Sequence, residues 1–299
     1  MRPANRKSPV PFIEATLAVL AWGASFVATK VALQDVSPVT VVWMRFTMGV
    51  LILGLGVAAR RQLGLPGWKD LAYFALLGFL GITFHQWLQS TGLETAQATT
   101  SAWIVATTPI FMALLGWLVL KEALRWWQAL GIGLAAFGVL LVVTQGNLAA
   151  LAGGHIGTTG DILILLSAPN WAVFSVLSRR GLRQFPATLM MFYVMGFGWL
   201  FTSVLFFSGP GLAEVQQLTL PGWLGVGFLG VFCSGLAYIF WYDALQALPT
   251  AQAGAFVYLE PFVTVVVAAL VLSEPLLLAS LLGGGIILLG VWMVQRTAT

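Results

Sequence analysis

Charged side chains are scarce in this sequence: 14 Lys and Arg and 10 Asp and Glu among 299 residues, or 8%. An ordinary soluble domain is about a quarter charged, and a chain of this size needs polar surface around its core. The hydrophobic fraction is 59% before 33 glycines are counted. That balance excludes a soluble enzyme and a disordered chain. Cysteine is scarcer still: one residue, Cys233, excludes an internal disulfide and a multi-cysteine metal site. Catalytic signatures are missing as well. There is no GxSxG, no HExxH, no paired-carboxylate motif and no P-loop, and the only histidines are His85 and His155. No catalytic residue, metal site or cofactor is expected. The net charge of +4 is spread over loops rather than clustered, so nucleic acid is not an expected partner.

What is abundant is long apolar runs. Ten candidate spans fall at 12–33, 38–59, 69–90, 96–120, 125–144, 160–178, 187–208, 222–246, 250–272 and 276–295. A run of about twenty apolar residues crosses the ~30 Å hydrocarbon layer as a helix. The fold expected is an all-α integral membrane protein of ten transmembrane helices with short connections. Its first span follows Arg2, Arg6 and Lys7 but is too long for a signal peptide.

Loop charges give an orientation. Twelve of the fourteen basic residues fall at one set of ends: Arg2, Arg6, Lys7, Arg60, Arg61, Lys69, Lys121, Arg125, Arg179, Arg180, Arg183 and Arg296. The opposite loops carry Asp35, Glu94, Asp161, Glu214 and Glu274. The positive-inside rule then places both termini in the cytoplasm.

The chain also repeats itself. Leu77-Gly78 matches Leu229-Gly230, Pro109 matches Pro261 and Glu122 matches Glu274, all at an offset of 152 residues. Gly131, Gly133 and Gly138 match Gly283, Gly285 and Gly290 at the same offset, and Trp22 matches Trp171 at 149. Two five-helix units are expected, 1–150 and 151–299. Because five is odd, the second enters the membrane inverted, as in many secondary transporters. Each half ends in a Pro…Glu…Gly pattern, and Trp22-Gly23-Ala24-Ser25-Phe26 and Arg45-Phe46 lie in helices 1 and 2. With these motifs the chain resembles the EamA-type branch of the drug/metabolite transporter superfamily over nearly its whole length. The resemblance implies alternating access, cytoplasmic termini and export of small metabolites across a bacterial inner membrane. The wealth of Trp and Phe is similar to the YddG-type aromatic amino-acid exporters.

Several residues inside the spans are candidates for the substrate site. Glu260 is ionisable near the bilayer midplane, next to the helix-breaking Pro261. It is read either as the partner of a substrate amine or proton, or as a structural acceptor at the kink. Arg45 could attract a carboxylate, but pairing with a protein carboxylate or snorkelling is the expectation. Lys30 is expected to snorkel, and Asp243 to act as a gate or helix-end charge. His85, Gln86 and Gln89 make a polar stretch of span 3, and Thr100, Trp103 and Thr107 a stripe of span 4. Trp22 and Trp171 are too deep for interfacial anchors and either stack on a substrate or fill the core. Ser25 and Asn170 lie near them, and Tyr238, Trp241 and Tyr242 follow helical spacing in span 8. The stripes are expected to converge on an aromatic-lined cavity.

The partners expected are a small molecule and the lipid bilayer, with no obligate protein partner. The expected substrates are aromatic or large apolar amino acids. The alternative is a lipophilic cation, as in a multidrug exporter.

Overall fold

The structure is a computed structural model that describes residues 9–121, 123–149, 157–248 and 250–296. Arg2, Arg6, Lys7, Glu122 and His155, named above, lie outside the described residues. The described chain is all helical, and ten helices are long and apolar enough to cross a membrane. They are α1 (Val10–Ala32), α2 (Pro38–Ala59), α3 (Trp68–Thr95), a two-piece α4 (Ala98–Val105 and Thr108–Leu120) and α5 (Trp126–Val143). There follow α6 (Thr159–Gln184), α7 (Ala187–Ser208), α8 (Leu220–Ala247), a two-piece α9 (Thr250–Val257 and Glu260–Val271) and α10 (Leu278–Gln295). Helices α3, α6 and α8 reach further than the apolar runs alone suggest, because their ends carry polar residues still in helical conformation.

The breaks in α4 and α9 have a local cause. Pro109 and Pro261 each lie in the first turn of the second piece, where a missing N–H is tolerated and a preceding helical turn is not. Both broken helices end in a left-handed cap without glycine: Lys121 at φ 55° and Ser273 at φ 55°, 152 residues apart. A left-handed residue at this place turns the chain sharply out of the helix.

The main helix pairings do not change when α1–α5 are exchanged with α6–α10. α1 packs on α8 as α6 does on α3, α1 on α9 as α6 on α4, and α2 on α8 as α7 on α3. α2 also packs on α7, α4 on α9 and α5 on α10. The α5–α10 seam is made by glycine. A Cβ on Gly131 would sit 2.6 Å from the Gly290 carbonyl oxygen, and one on Gly138 2.7 Å from that of Gly283. Bare glycine faces let the two backbones approach within a distance no side chain allows.

Arg60, Arg61, Lys69, Lys121, Arg125 and Arg296 lie at helix ends or in connections, as do the acids Asp35, Glu94, Asp161, Glu214 and Glu274. The acids do more than mark a side. Glu274 accepts from the backbone N–H groups of Ala98 (2.8 Å) and Thr99 (3.0 Å), closing the N-terminus of α4. Glu214, in the short helix Gly211–Val215, accepts from Ser37 N (3.0 Å), Ser37 Oγ (2.7 Å) and Thr40 Oγ1 at the start of α2. Asp35 accepts from Thr219 N (2.9 Å) and Oγ1 (2.6 Å) before α8, and Asp161 forms a capping box with Thr158 at α6. Carboxylates at helix N-termini satisfy orphan donors and offset the helix dipole. Lys30 does not snorkel to water. Its Nζ donates to the carbonyls of Leu93 (3.2 Å) and Ala96 (2.6 Å), capping the C-terminus of α3. Arg60 and Asp243 form a two-pronged ion pair between α2 and α8.

Candidate functional site

Two π-helical segments lie at related places in the two halves, Phe79–Phe84 within α3 and Leu229–Leu236 within α8. A π turn shifts the hydrogen-bond register, so carbonyls there become available to side chains, and such segments are frequent at functional sites. Side chains do use these carbonyls. Trp22 of α1 donates its indole N–H to the Cys233 carbonyl at 3.1 Å. Asn170 of α6 donates to the Leu80 carbonyl at 2.8 Å. Close-packed glycines accompany both segments: a Cβ on Gly81 would meet the Phe174 ring at 2.5 Å, and one on Gly230 the Met48 sulfur at 2.5 Å. Apolar periodicity carries no signal for a π turn. The paired Leu-Gly positions 77–78 and 229–230 are the only sequence mark beside them.

Around these segments most of the candidate residues come together. Trp22 meets Tyr238 edge-on at 5.7 Å and Trp241 at 5.4 Å between ring centroids. Tyr242 lies one turn on, 6.4 Å from Tyr238. On the far side His85 lies over Trp171 at 4.7 Å, and Trp171 over Phe174 at 4.8 Å. Trp22, Trp171, Tyr238 and Tyr242 border one apolar cluster. Ser25 Oγ is committed to the Trp22 carbonyl at 2.6 Å. Gln89 is half-buried on α3, and His85 is buried with Nδ1 lacking a hydrogen-bond partner.

Trp103 lies apart from this group. It is 1% exposed, packs edge-on against Phe262 at 5.5 Å, and sits where a Cβ on Gly284 would be 2.4 Å away. It belongs to an apolar cluster with Ala135, Ile287 and Val291 of α5 and α10. Thr100 is buried on the same short helix piece, and Thr107 turns its hydroxyl back to the Ile104 carbonyl at 2.6 Å. Trp103 therefore faces the α10 side of the bundle, in a cluster separate from the one that Trp22 and Trp171 border.

Glu260 opens the second piece of α9. Its place is fixed by a close crossing with α1. Thr264 Oγ1 donates to the Gly23 carbonyl at 2.7 Å, and a Cβ on Gly23 would meet the Glu260 carbonyl oxygen at 2.8 Å. Gly23 follows Trp22, so the Glu260 backbone crosses α1 beside the residue that carries the indole. The carboxylate has no hydrogen-bond or ion-pair partner among the described residues. The helix N-terminus beneath it supplies a favourable dipole.

Arg45 lies about a third of the way along α2 and is 5% exposed. It neither snorkels nor pairs with a carboxylate among the described residues, contrary to the sequence expectation. Instead Nε donates to Ser234 Oγ at 3.0 Å and Nη1 to Gln86 Oε1 at 3.0 Å. Its two acceptors come from the π segment of α8 and from just beyond that of α3. Among the described residues no group of three or more His, Cys, Asp or Glu is placed to hold a metal ion.

The chain is similar to known membrane transporters. It is 27% identical over 277 residues to an uncharacterized transporter of Archaeoglobus fulgidus, covering 93% of this chain and 94% of that one. It is 27% identical to a probable terminal-alkyne amino-acid exporter of Streptantibioticus cattleyicolor, over 94% of this chain and 91% of that protein. A solved crystal structure superposes with a TM-score of 0.63 at 19% identity, covering 96% of this chain and 99% of its own, a likeness of fold. Residues 12–144 and 158–296 each match the EamA-like transporter family, so the chain belongs to that family and is a multi-pass membrane transporter of small metabolites.

Proposed function

We propose that this transporter exports aromatic or large apolar amino acids by alternating access between two inverted halves, 1–150 and 151–299. The observation that carries the reading is the ring group of Trp22, Tyr238 and Trp241, with the unpaired Glu260 on a helix piece whose backbone crosses α1 at Gly23, next to Trp22. The rings offer a stacking surface to a flat or apolar side chain, and the carboxylate offers a partner to an ammonium. One relative is itself described as a probable amino-acid exporter, which supports the same substrate class. Among the described residues Arg45 is the one buried Lys or Arg, short of the several cations that a nucleotide or sugar phosphate requires. On this reading the basic set of ends faces the cytoplasm of a bacterial inner membrane, with both termini on that side.

The unpaired Glu260 carboxylate also favours a second reading, a lipophilic-cation exporter using ion-pair and cation–π contacts. Purified protein in liposomes loaded in turn with phenylalanine, aspartate and a quaternary ammonium dye separates the two. Saturable efflux of phenylalanine without aspartate is expected. Saturable movement of the dye without phenylalanine overturns the amino-acid assignment.

A further inference from the structure

We propose that Arg45 is the anchor for the carboxylate of the transported substrate. The proposal rests on the amino-acid reading above and adds the residue that reads the acid group.

A guanidinium carries five N–H donors in a planar fork. In Arg45 two of its nitrogens are engaged, Nε by Ser234 Oγ and Nη1 by Gln86 Oε1. Both acceptors are neutral. Nη2 has no acceptor among the described residues, and no Asp or Glu lies within ion-pair distance. Nη2 is also absent from the fully buried, unsatisfied polar atoms among the described residues, so it keeps some accessible surface. The side chain as a whole is 5% exposed.

A cation held so deep in a membrane protein demands compensation by charge or by function. Among the described residues no counter-ion lies within ion-pair distance, yet the fork is held by hydrogen bonds. Ser234 takes the Nε–H and Gln86 one N–H of Nη1, and the Phe46 ring lies 5.1 Å from the guanidinium carbon. Three N–H groups remain, two on Nη2 and one on Nη1, and such a set can pair with a carboxylate. The guanidinium lies near the aromatic group: Ser234, which it holds, follows Cys233, whose carbonyl accepts from the Trp22 indole, and Trp22 touches Tyr238. A substrate with its acid group on Arg45 therefore has ring surface beside it.

Binding of three probes to purified protein in nanodiscs tests this: L-phenylalanine, 3-phenylpropionate and phenethylamine. They share a ring and carry, respectively, both charges, the carboxylate alone and the ammonium alone. Arg45→Gln and Arg45→Lys are compared with wild type, the lysine variant keeping the charge in case the glutamine variant fails to fold. Both variants are expected to lose at least about tenfold in affinity for the two carboxylates, and to bind phenethylamine within about twofold of wild type. Parallel loss of all three probes shows instead that Arg45 only pins α3 to α8, and unchanged carboxylate affinity in the lysine variant equally overturns the anchor. The readings fail separately. Arg45-dependent binding of 3-phenylpropionate without phenylalanine binding removes the amino-acid substrate and keeps the anchor. A wild type that binds none of the probes removes both.

Discussion

The indole nitrogen of Trp22 reaches across from α1 to the carbonyl of Cys233, 211 residues away and inside a π-helical segment, at 3.1 Å. The bond fixes the ring plane, and that plane meets Tyr238 and Trp241 at their edges. Trp22→Phe keeps a ring but drops the donor, whereas Trp22→Ala removes the surface. An aromatic pair is worth about 0.5–1.5 kcal/mol beyond its burial. Trp22→Ala is therefore expected to raise KM for phenylalanine about three- to tenfold and to leave alanine transport nearly unchanged, with Trp22→Phe between the two. Equal effects on both substrates in liposome efflux point to packing alone.

The spans were legible because their information is composition. A helix in lipid must be apolar for about twenty residues, and few alternatives satisfy that. The glycine seam was legible too, since Gly131, Gly138, Gly283 and Gly290 recur at seven-residue spacing. The π segments were not, because a register shift of the backbone leaves hydropathy unchanged. Trp103 shows another limit. Its spacing with Thr100 and Thr107 defines a stripe, but spacing does not say which neighbour the ring faces; Gly284 decides that. The loop acids read as markers of sidedness, while their use as N-caps depends on contacts such as Glu274 with Ala98 that only the fold brings together.

Glu260 separates a charge role from a packing role. Its carboxylate makes no hydrogen bond among the described residues, so Glu260→Gln breaks no contact of the side chain. Thermal unfolding in detergent is expected at or slightly above the wild-type temperature, because a half-buried unpaired charge is removed. Phenylalanine efflux is expected to fall at least about tenfold, the worth of a lost charge-assisted hydrogen bond. A clear drop in unfolding temperature, with binding intact in the folded fraction, assigns the residue to structure instead.

Glu214 gives the fold a pH dependence of known sign. Burial pushes its carboxyl upward, but hydrogen bonds from Thr40 Oγ1, Ser37 Oγ and Ser37 N outweigh this and hold it below the ordinary value of 4.5. A carboxyl with a depressed folded pKa adds stability above its unfolded pKa. That contribution is lost as pH falls from 4.5 through the lower folded value. Wild-type unfolding temperature should thus decline more steeply across that acid window than that of Glu214→Gln, and the two slopes should agree at neutral pH. Parallel curves throughout would contradict the assignment.

Glycines of α5 give the last contrast, since identical residues on one helix should respond with opposite sign. Gly138 faces α10, where a Cβ would lie 2.7 Å from the Gly283 carbonyl oxygen and 2.8 Å from Ile287. Gly138→Ala must push the two backbones apart, and overpacking of this kind costs about 1–3 kcal/mol. Gly133 is one and a half turns away and a Cβ there meets nothing within 4 Å. Gly133→Ala removes the entropic penalty of a mid-helix glycine and should gain about 0.5–1 kcal/mol. Thermal unfolding of the two variants in the same detergent is the measurement: Gly138→Ala should melt below wild type and Gly133→Ala above it. If both fall together, glycine matters along α5 for flexibility rather than for close approach, and the seam with α10 is not what holds these two helices.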